Sequence, residues 1–272
     1  MISMKRMGLY IYCVREADGK KIKAKGIEFG GQISAIPFKD IEAVVSDVDL
    51  SQFNEKKIED KLREDAKWTE KNIRRHHEAV AETGKIKAVI PMKFGTLFKT
   101  QKSLEAMLKN HYMKFKALLR RLKDKQEWGV KGYLEYKKFG EILKSKNKAI
   151  QKLEKKRLSV PEGMKWYIDR KSDELIAGQI EYGVEEELKR IIGKLEKQAE
   201  EIRLNDLLPK EVIEPGRDMI LNAACLVSND CLGAFQTVLK GIVKECAIVG
   251  IILILTGPWP PYNFVDSKNG KA

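Results

Sequence analysis

Apolar residues in this chain change their period near Lys125, and that change limits the folds open to it more than any other property. Before it, Leu104, Met107, Leu108, His111, Phe115, Leu118, Leu119 and Leu122 share one face of a helix. After it, Trp128, Val130, Gly132, Leu134 and Tyr136 alternate with Glu127, Gly129, Lys131, Tyr133 and Glu135, the pattern of a half-buried strand. A helical stretch follows, with a narrow stripe of Phe139, Ile142, Leu143, Ile150 and Leu153 that Pro161-Glu162-Gly163 interrupts. A stronger helix carries Val184, Leu188, Ile191, Ile192, Leu195, Ala199 and Ile202 at steps of three and four. Then come a short strand near 211–213, a longer one over Met219–Val227, a helix through Leu232, Phe235, Val238, Leu239 and Ile242, and a buried strand over Ile251–Leu255. The order strand, helices, strand, strand, helix, strand is that of the ferredoxin-like split βαβ unit. Its first crossover is enlarged into a helical insertion at about 137–205.

Upstream, Met7–Val14 reads as a strand, followed by a turn-prone basic stretch and strands near Gln32–Ile36 and Glu42–Asp47. Ile58, Leu62, Ala66, Ile73, His77 and Val80 then predict one amphipathic helix over 55–82, ended by Gly84. Extended character resumes around Pro91, before the helix through Leu104. The fold class is therefore α+β, with an N-terminal mixed α+β domain at 1–124 and a modified ferredoxin-like domain with its helical insertion at 125–272. A chain of 272 residues that is 43% hydrophobic can bury two such cores.

Chemistry-bearing motifs are scarce. There is no GxxxxGK[ST] loop, no GxGxxG after a strand and no HExxH. His76 and His77 are adjacent and point about 100° apart on a helix, a poor arrangement for one metal. His77 and His111 fall on apolar stripes and are read as core histidines, with no Ser or Cys elbow to partner either. Asp47 with Asp49, and Glu185 to Glu187, are read as solvated surface. Cys13, Cys225, Cys231 and Cys246 lack metal-site spacing and are read as buried thiols. No catalytic residue, metal site or cofactor is expected. The longest uncharged apolar run, Cys246–Leu255, is too short to span a bilayer, and the start lacks a cleavage signal, so a cytoplasmic protein without membrane contact is expected.

The formal net charge of +13 favours acidic partners. It is concentrated: residues 137–157 hold eight Lys and one Arg against two Glu, a net of +7. Lys144, Lys148, Lys152 and Lys155 in that segment are candidate partner-binding residues. The alternative function is a basic nucleic-acid-binding module using the ferredoxin-like domain, for which Lys131-Gly132-Tyr133 matches only the opening of the RNA-recognition strand signature. Only Phe139 is aromatic in the basic segment, whereas single-strand binders interleave several rings with their charges.

The C-terminal string Thr256-Gly257-Pro258-Trp259-Pro260-Pro261-Tyr262-Asn263-Phe264-Val265 cannot continue a sheet, because proline removes backbone donors. It is read as a strap over the sheet of its own domain, the alternative being an arm that presents Trp259, Pro260, Tyr262 and Phe264 to a partner. From Leu255 to Val265 it resembles the closing signature of the gas vesicle L/F proteins (GvpL/GvpF). Further similar pieces run in order: Gly8-Leu9-Tyr10-Ile11-Tyr12, Ala43 to Val48, His77-Glu78-Ala79-Val80, Pro91 to Phe98, Glu127 to Lys131 and Met219 to Val227. The sequence departs from the family pattern at Cys225 and in the basic segment. The resemblance implies a non-enzymatic assembly factor or minor structural component of gas vesicles. It also implies a vesicle or cytoplasmic location, and as partners the hydrophobic shell protein GvpA and other gas vesicle accessory proteins. No nucleic-acid partner is expected from it.

Overall fold

The computed structural model describes residues 6–27, 31–85, 87–209 and 217–265. Its contacts divide the chain into two compact units, one reaching Glu127 and resuming at Trp259, the other Trp128–Pro258.

The first unit is built on a sheet in the order β2-β3-β1-β4, where β1 is Met7–Glu16, β2 Ile33–Phe38, β3 Ile41–Asp49 and β4 Val89–Pro91. A further two-residue strand, β5 (Leu97–Phe98), also pairs with β1. β1 runs antiparallel to β3 from Met7 opposite Asp49 to Glu16 opposite Ile41, with a register shift between Ile11 and Cys13. That bulge sends Tyr10, Tyr12 and Cys13 into one core cluster and Ile11 and Val14 into another. Both faces of the sheet are covered, which is why β1 and β3 read as nearly unbroken apolar runs. On one face, α1 (Glu55–Glu64) and α2 (Ala66–Gly84) bring Ile58, Ala79 and Val80 onto Tyr10, Tyr12 and Val44. On the other, α3 (Gln101–Leu122) lays Leu104, Leu108, Phe115 and Leu119 over Ile11, Val14, Ala43 and Val45.

The single helix expected over 55–82 is two. Asp65 leaves helical geometry at φ −126° and ψ 84°, and its carboxylate caps α2 by accepting from the Trp68 N–H at 2.9 Å. The break also turns the buried face of α2, which carries Asn72, His76, Ala79, Val80 and Thr83. The core histidine is thus His76; His77 is half-buried and His111 is exposed.

The second unit has a four-stranded sheet in the order β7-β8-β6-β9, with β6 at Lys125–Leu134, β7 at Glu201–Leu204, β8 at Asp218–Ser228 and β9 at Ile251–Trp259. Numbered within the unit the order is 2-3-1-4, the ferredoxin-like arrangement that the element order implies. One face is packed by the C-terminal part of α6 (Glu162–Glu196) and by α7 (Leu232–Ile248): Ile191, Leu195, Phe235, Leu239 and Ile242 meet Trp128, Val130, Leu221, Ala223, Cys225 and Leu253. The strand expected at 211–213 lies outside the described residues, and the strand that pairs with β8 comes earlier in the chain. It is β7, over residues the spacing assigned to a helix. α6 stops at Glu196, and the Glu200 N–H donates to Leu226 O at 2.9 Å, drawing Glu201–Leu204 into antiparallel register with β8. Cys13, Cys225 and Cys246 are buried thiols as expected, but Cys231 is exposed where α7 begins.

Between β6 and β7 the insertion forms three helices: α4 (Tyr136–Lys146), α5 (Lys148–Leu158) and α6. Asn147 separates the first two and caps α5, its side-chain oxygen accepting from the Ala149 and Ile150 N–H groups. Pro161 opens α6, a 35-residue helix that continues through Gly163, Gly178 and Gly183. Proline before the first turn suits a helix start, since no donor is lost there.

Candidate functional site

The C-terminal string supplies one candidate site. Contrary to expectation its first residues, 256–259, do continue the sheet as the end of β9, an edge strand in which Pro258 is tolerated. Nor is it a strap over the second sheet: from Trp259 onward it packs with the first unit. The reason lies in three polar and aromatic anchors far away in sequence. Glu127, buried at the start of β6, accepts from the Asn263 backbone N–H at 3.0 Å and from its side-chain Nδ2 at 2.6 Å. Arg121, at the end of α3, donates to the Phe264 carbonyl. On α2, His77 meets the Tyr262 ring edge-on at 5.1 Å between centroids, with the Trp259 ring at 6.4 Å.

Behind the string is an aromatic cluster held by defined hydrogen bonds. The Met92 carbonyl can only accept, so His76 donates to it from Nε2 at 3.0 Å, and Nδ1 accepts from the Tyr10 hydroxyl at 2.7 Å. Tyr10 in turn accepts from the Gly95 N–H at 3.2 Å. Tyr12 stacks on His76 at 5.7 Å, accepts from the Ile27 N–H at 2.8 Å and bonds Ser46 Oγ at 2.8 Å. Burial, with the neighbouring His77, lowers the His76 pKa to about 4. Burial also lowers that of His77 and raises those of Tyr10, Tyr12 and Tyr262. It pushes the Cys13 thiol up to about 12. At neutral pH the cluster is therefore uncharged and its thiol protonated. Such a neutral, hydrogen-bonded cluster is suited to gripping a chain segment.

This packing decides which residues of the string can meet a partner. Pro260 and Phe264 are buried, Phe264 completely, and Tyr262 and Asn263 are half-buried. Trp259 alone among the four expected contact residues is open, with 47% of its surface exposed.

The second candidate is the helical insertion. Lys148, Lys152 and Lys155 are exposed and recur at steps of four and three, on the side of α5 opposite the fully buried Ile150. Lys144 is half-buried on α4. None of the four has an ion pair among the described residues, whereas Arg157 pairs with Asp169 of α6 at 2.5 Å. The charge that dominates the insertion is left facing solvent.

Two features escape a sequence reading. Glu127 and Arg121 carry no motif that marks them as anchors of a segment more than a hundred residues away. On α6, Met164, Tyr167, Leu175 and Tyr182 are exposed, although their spacing was available as a signal. No helix among the described residues is long and apolar enough to cross a membrane.

The chain is similar to several known proteins along nearly its whole length. It is 23% identical over 266 residues to gas vesicle protein F1 of Halobacterium salinarum, covering 96% of this chain and 94% of that protein. Crystal structures of GvpF from Anabaena sp. PCC7120 and from Microcystis aeruginosa share the fold. The first has a TM-score of 0.70 at 15% identity and covers 98% of this chain and 99% of its own; the second has 0.67 at 17% and covers 95% and 99%. The model of the gas vesicle synthesis protein GvpL/GvpF family matches residues 8–266. With the fold, the anchored C-terminal string and this match in agreement, the chain belongs to the GvpL/GvpF family of gas vesicle synthesis proteins.

Proposed function

We propose that this protein is a non-enzymatic assembly factor or minor vesicle component that binds the hydrophobic shell protein GvpA and keeps it from aggregating before it joins the growing vesicle. The observation that carries the reading is the lysine face of α5, Lys148, Lys152 and Lys155, exposed and without ion pairs among the described residues, on a member of a gas vesicle family. A shell that excludes water must be assembled from protein with a large apolar surface, and such protein self-associates unless covered. A charged, well-folded partner supports solubility, and a localised cationic face steers association with an acidic segment. The half-exposed Trp259, held in place through Asn263 and Phe264, offers a rigid aromatic contact. The neutral aromatic cluster and the protonated thiol leave the reading without a need for bond-making chemistry.

The test is co-purification of the tagged chain with GvpA at moderate salt. The reading predicts a complex that weakens as salt rises. Combined Lys148→Glu, Lys152→Glu and Lys155→Glu substitution is expected to weaken it at least ten-fold without changing the thermal melt. Equal recovery of GvpA by the parent and the triple variant would contradict the role of α5; no recovery by either would contradict the partner.

A further inference from the structure

We propose that α6 pairs with the α6 of a second copy of this chain, antiparallel, about a two-fold axis passing between Glu174 and Leu175. Met164, Tyr167, Lys171, Leu175, Gly178 and Tyr182 all lie on one face of α6, within about 80° of one another at about 100° per residue. Their steps of three, four, four, three and four are those of a helix–helix seam. The four large apolar side chains are 51%, 58%, 40% and 61% exposed, in order. The far side of the helix is already occupied: Ile176 is buried, Gly183 abuts the Phe139 ring of α4, and Asp169 holds Arg157 of α5, and the buried Ile168 marks the edge where the seam meets that side. Among the described residues nothing covers the seam.

The seam is self-complementary, which is what selects a second copy as its occupant. Reversed about that axis, Tyr167 of one copy stands opposite Tyr182 of the other, and Lys171 stands opposite Gly178. A Cβ added at Gly178 would meet nothing within 4 Å, so the space above it is open to the lysine stem. The ammonium of Lys171 then lies between Glu174 and Glu181 of the other copy, about 6 Å and about 4.5 Å along the helix from the facing position. Each copy offers the same cation and the same two carboxylates, as an isologous interface requires. A single helix pair with a seam of about 27 Å buries less than a standard interface, which places the association in the weak, reversible class.

The pairing is tested on the full chain carrying Cys231→Ser, since Cys231 is the exposed native thiol and Cys13, Cys225 and Cys246 are buried. Under mild oxidation Leu175→Cys is expected to form a covalent dimer by itself, because that position lies beside the axis. Tyr167→Cys and Tyr182→Cys are expected to cross-link only when the two variants are mixed. In sedimentation equilibrium the unsubstituted chain should gain mass with concentration, and Leu175→Glu should raise the dissociation constant at least ten-fold. A chain that stays monomeric and forms no cross-links would overturn the proposal. So would Tyr167→Cys cross-linking with itself, which requires a parallel pair, or Leu175→Glu that abolishes GvpA binding while self-association is unchanged. The cysteine variants keep the test decisive if the charged variant is unstable, since they alter exposed positions only.

Discussion

Neutral His76 lets the aromatic cluster of the first unit close without a buried charge. Its folded pKa is about 4 against 6.5 for the free side chain. Between those values the unfolded chain binds more protons, so stability rises with pH through that window. It is complete above the unfolded value and is lost as pH falls towards 4, by about 3 kcal/mol at most. His77 is shifted in the same direction and adds to the slope. His76→Gln keeps hydrogen-bonding capacity without titrating, so denaturant melts from about pH 6.5 down to about 4.5 should be flatter for the variant by up to one proton. An unchanged slope would show that His76 is not the group responsible. A second expectation concerns the anchor of the C-terminal string. Asn263→Ala removes the side-chain hydrogen bond to the buried Glu127 carboxylate and leaves only the backbone N–H of residue 263 to hold it. It should lower stability by about 2 kcal/mol and make the segment after Pro258 accessible to protease, read by thermal melting and limited digestion. Nothing in the local sequence around Asn263 points to Glu127. Proline and aromatic residues announced a stiff segment, but the surface it lies on is chosen by side chains distant in sequence.

At the scale of elements, long apolar runs and stripes were legible, whereas a strand defined by its pairing and a helix break made by a single capping residue were not. β1, β3, α3 and β8 declare themselves because their apolar runs or stripes outlast any competing period. β7 was hidden because Ala199 and Ile202 continue the steps of Ile191 and Leu195, and only pairing with β8 shows that the helix has ended. The split of α1 from α2 rests on one carboxylate that satisfies the Trp68 donor, and the split of α4 from α5 on Asn147. Asn147→Ala should therefore cost about 1 kcal/mol and fray the start of α5, visible as faster amide exchange at Ala149 and Ile150. Within the second sheet, β6 passes so close to β8 that a Cβ on Gly132 would stand 2.9 Å from Leu221 Cβ and 3.2 Å from Leu253 Cδ2. Gly132→Ala is expected to destabilise the unit by about 1 to 3 kcal/mol, checked by chemical denaturation. A neutral result would mean the strands separate more easily than the buried Leu221 implies.

For the whole molecule, the charge of +13 has a location. More than half of it resides in residues 137–157, where Lys148, Lys152 and Lys155 of α5 are exposed opposite the buried Ile150 while Arg157 pairs with Asp169 of α6. The C-terminal string that suggested an aromatic arm is mostly consumed in folding, so that of its four candidate contact residues only Trp259 stays largely exposed. The proposed contact with the shell protein is therefore made by α5, and the proposed α6 seam is a separate, self-associating surface. The central claim is most directly tested by the partitioning of GvpA between supernatant and pellet when it is produced with and without this chain. The account predicts that GvpA moves into the supernatant in a complex with the chain, and returns to the pellet when Lys148, Lys152 and Lys155 are all replaced by Glu. GvpA that sediments equally in the presence and absence of the folded chain would contradict it.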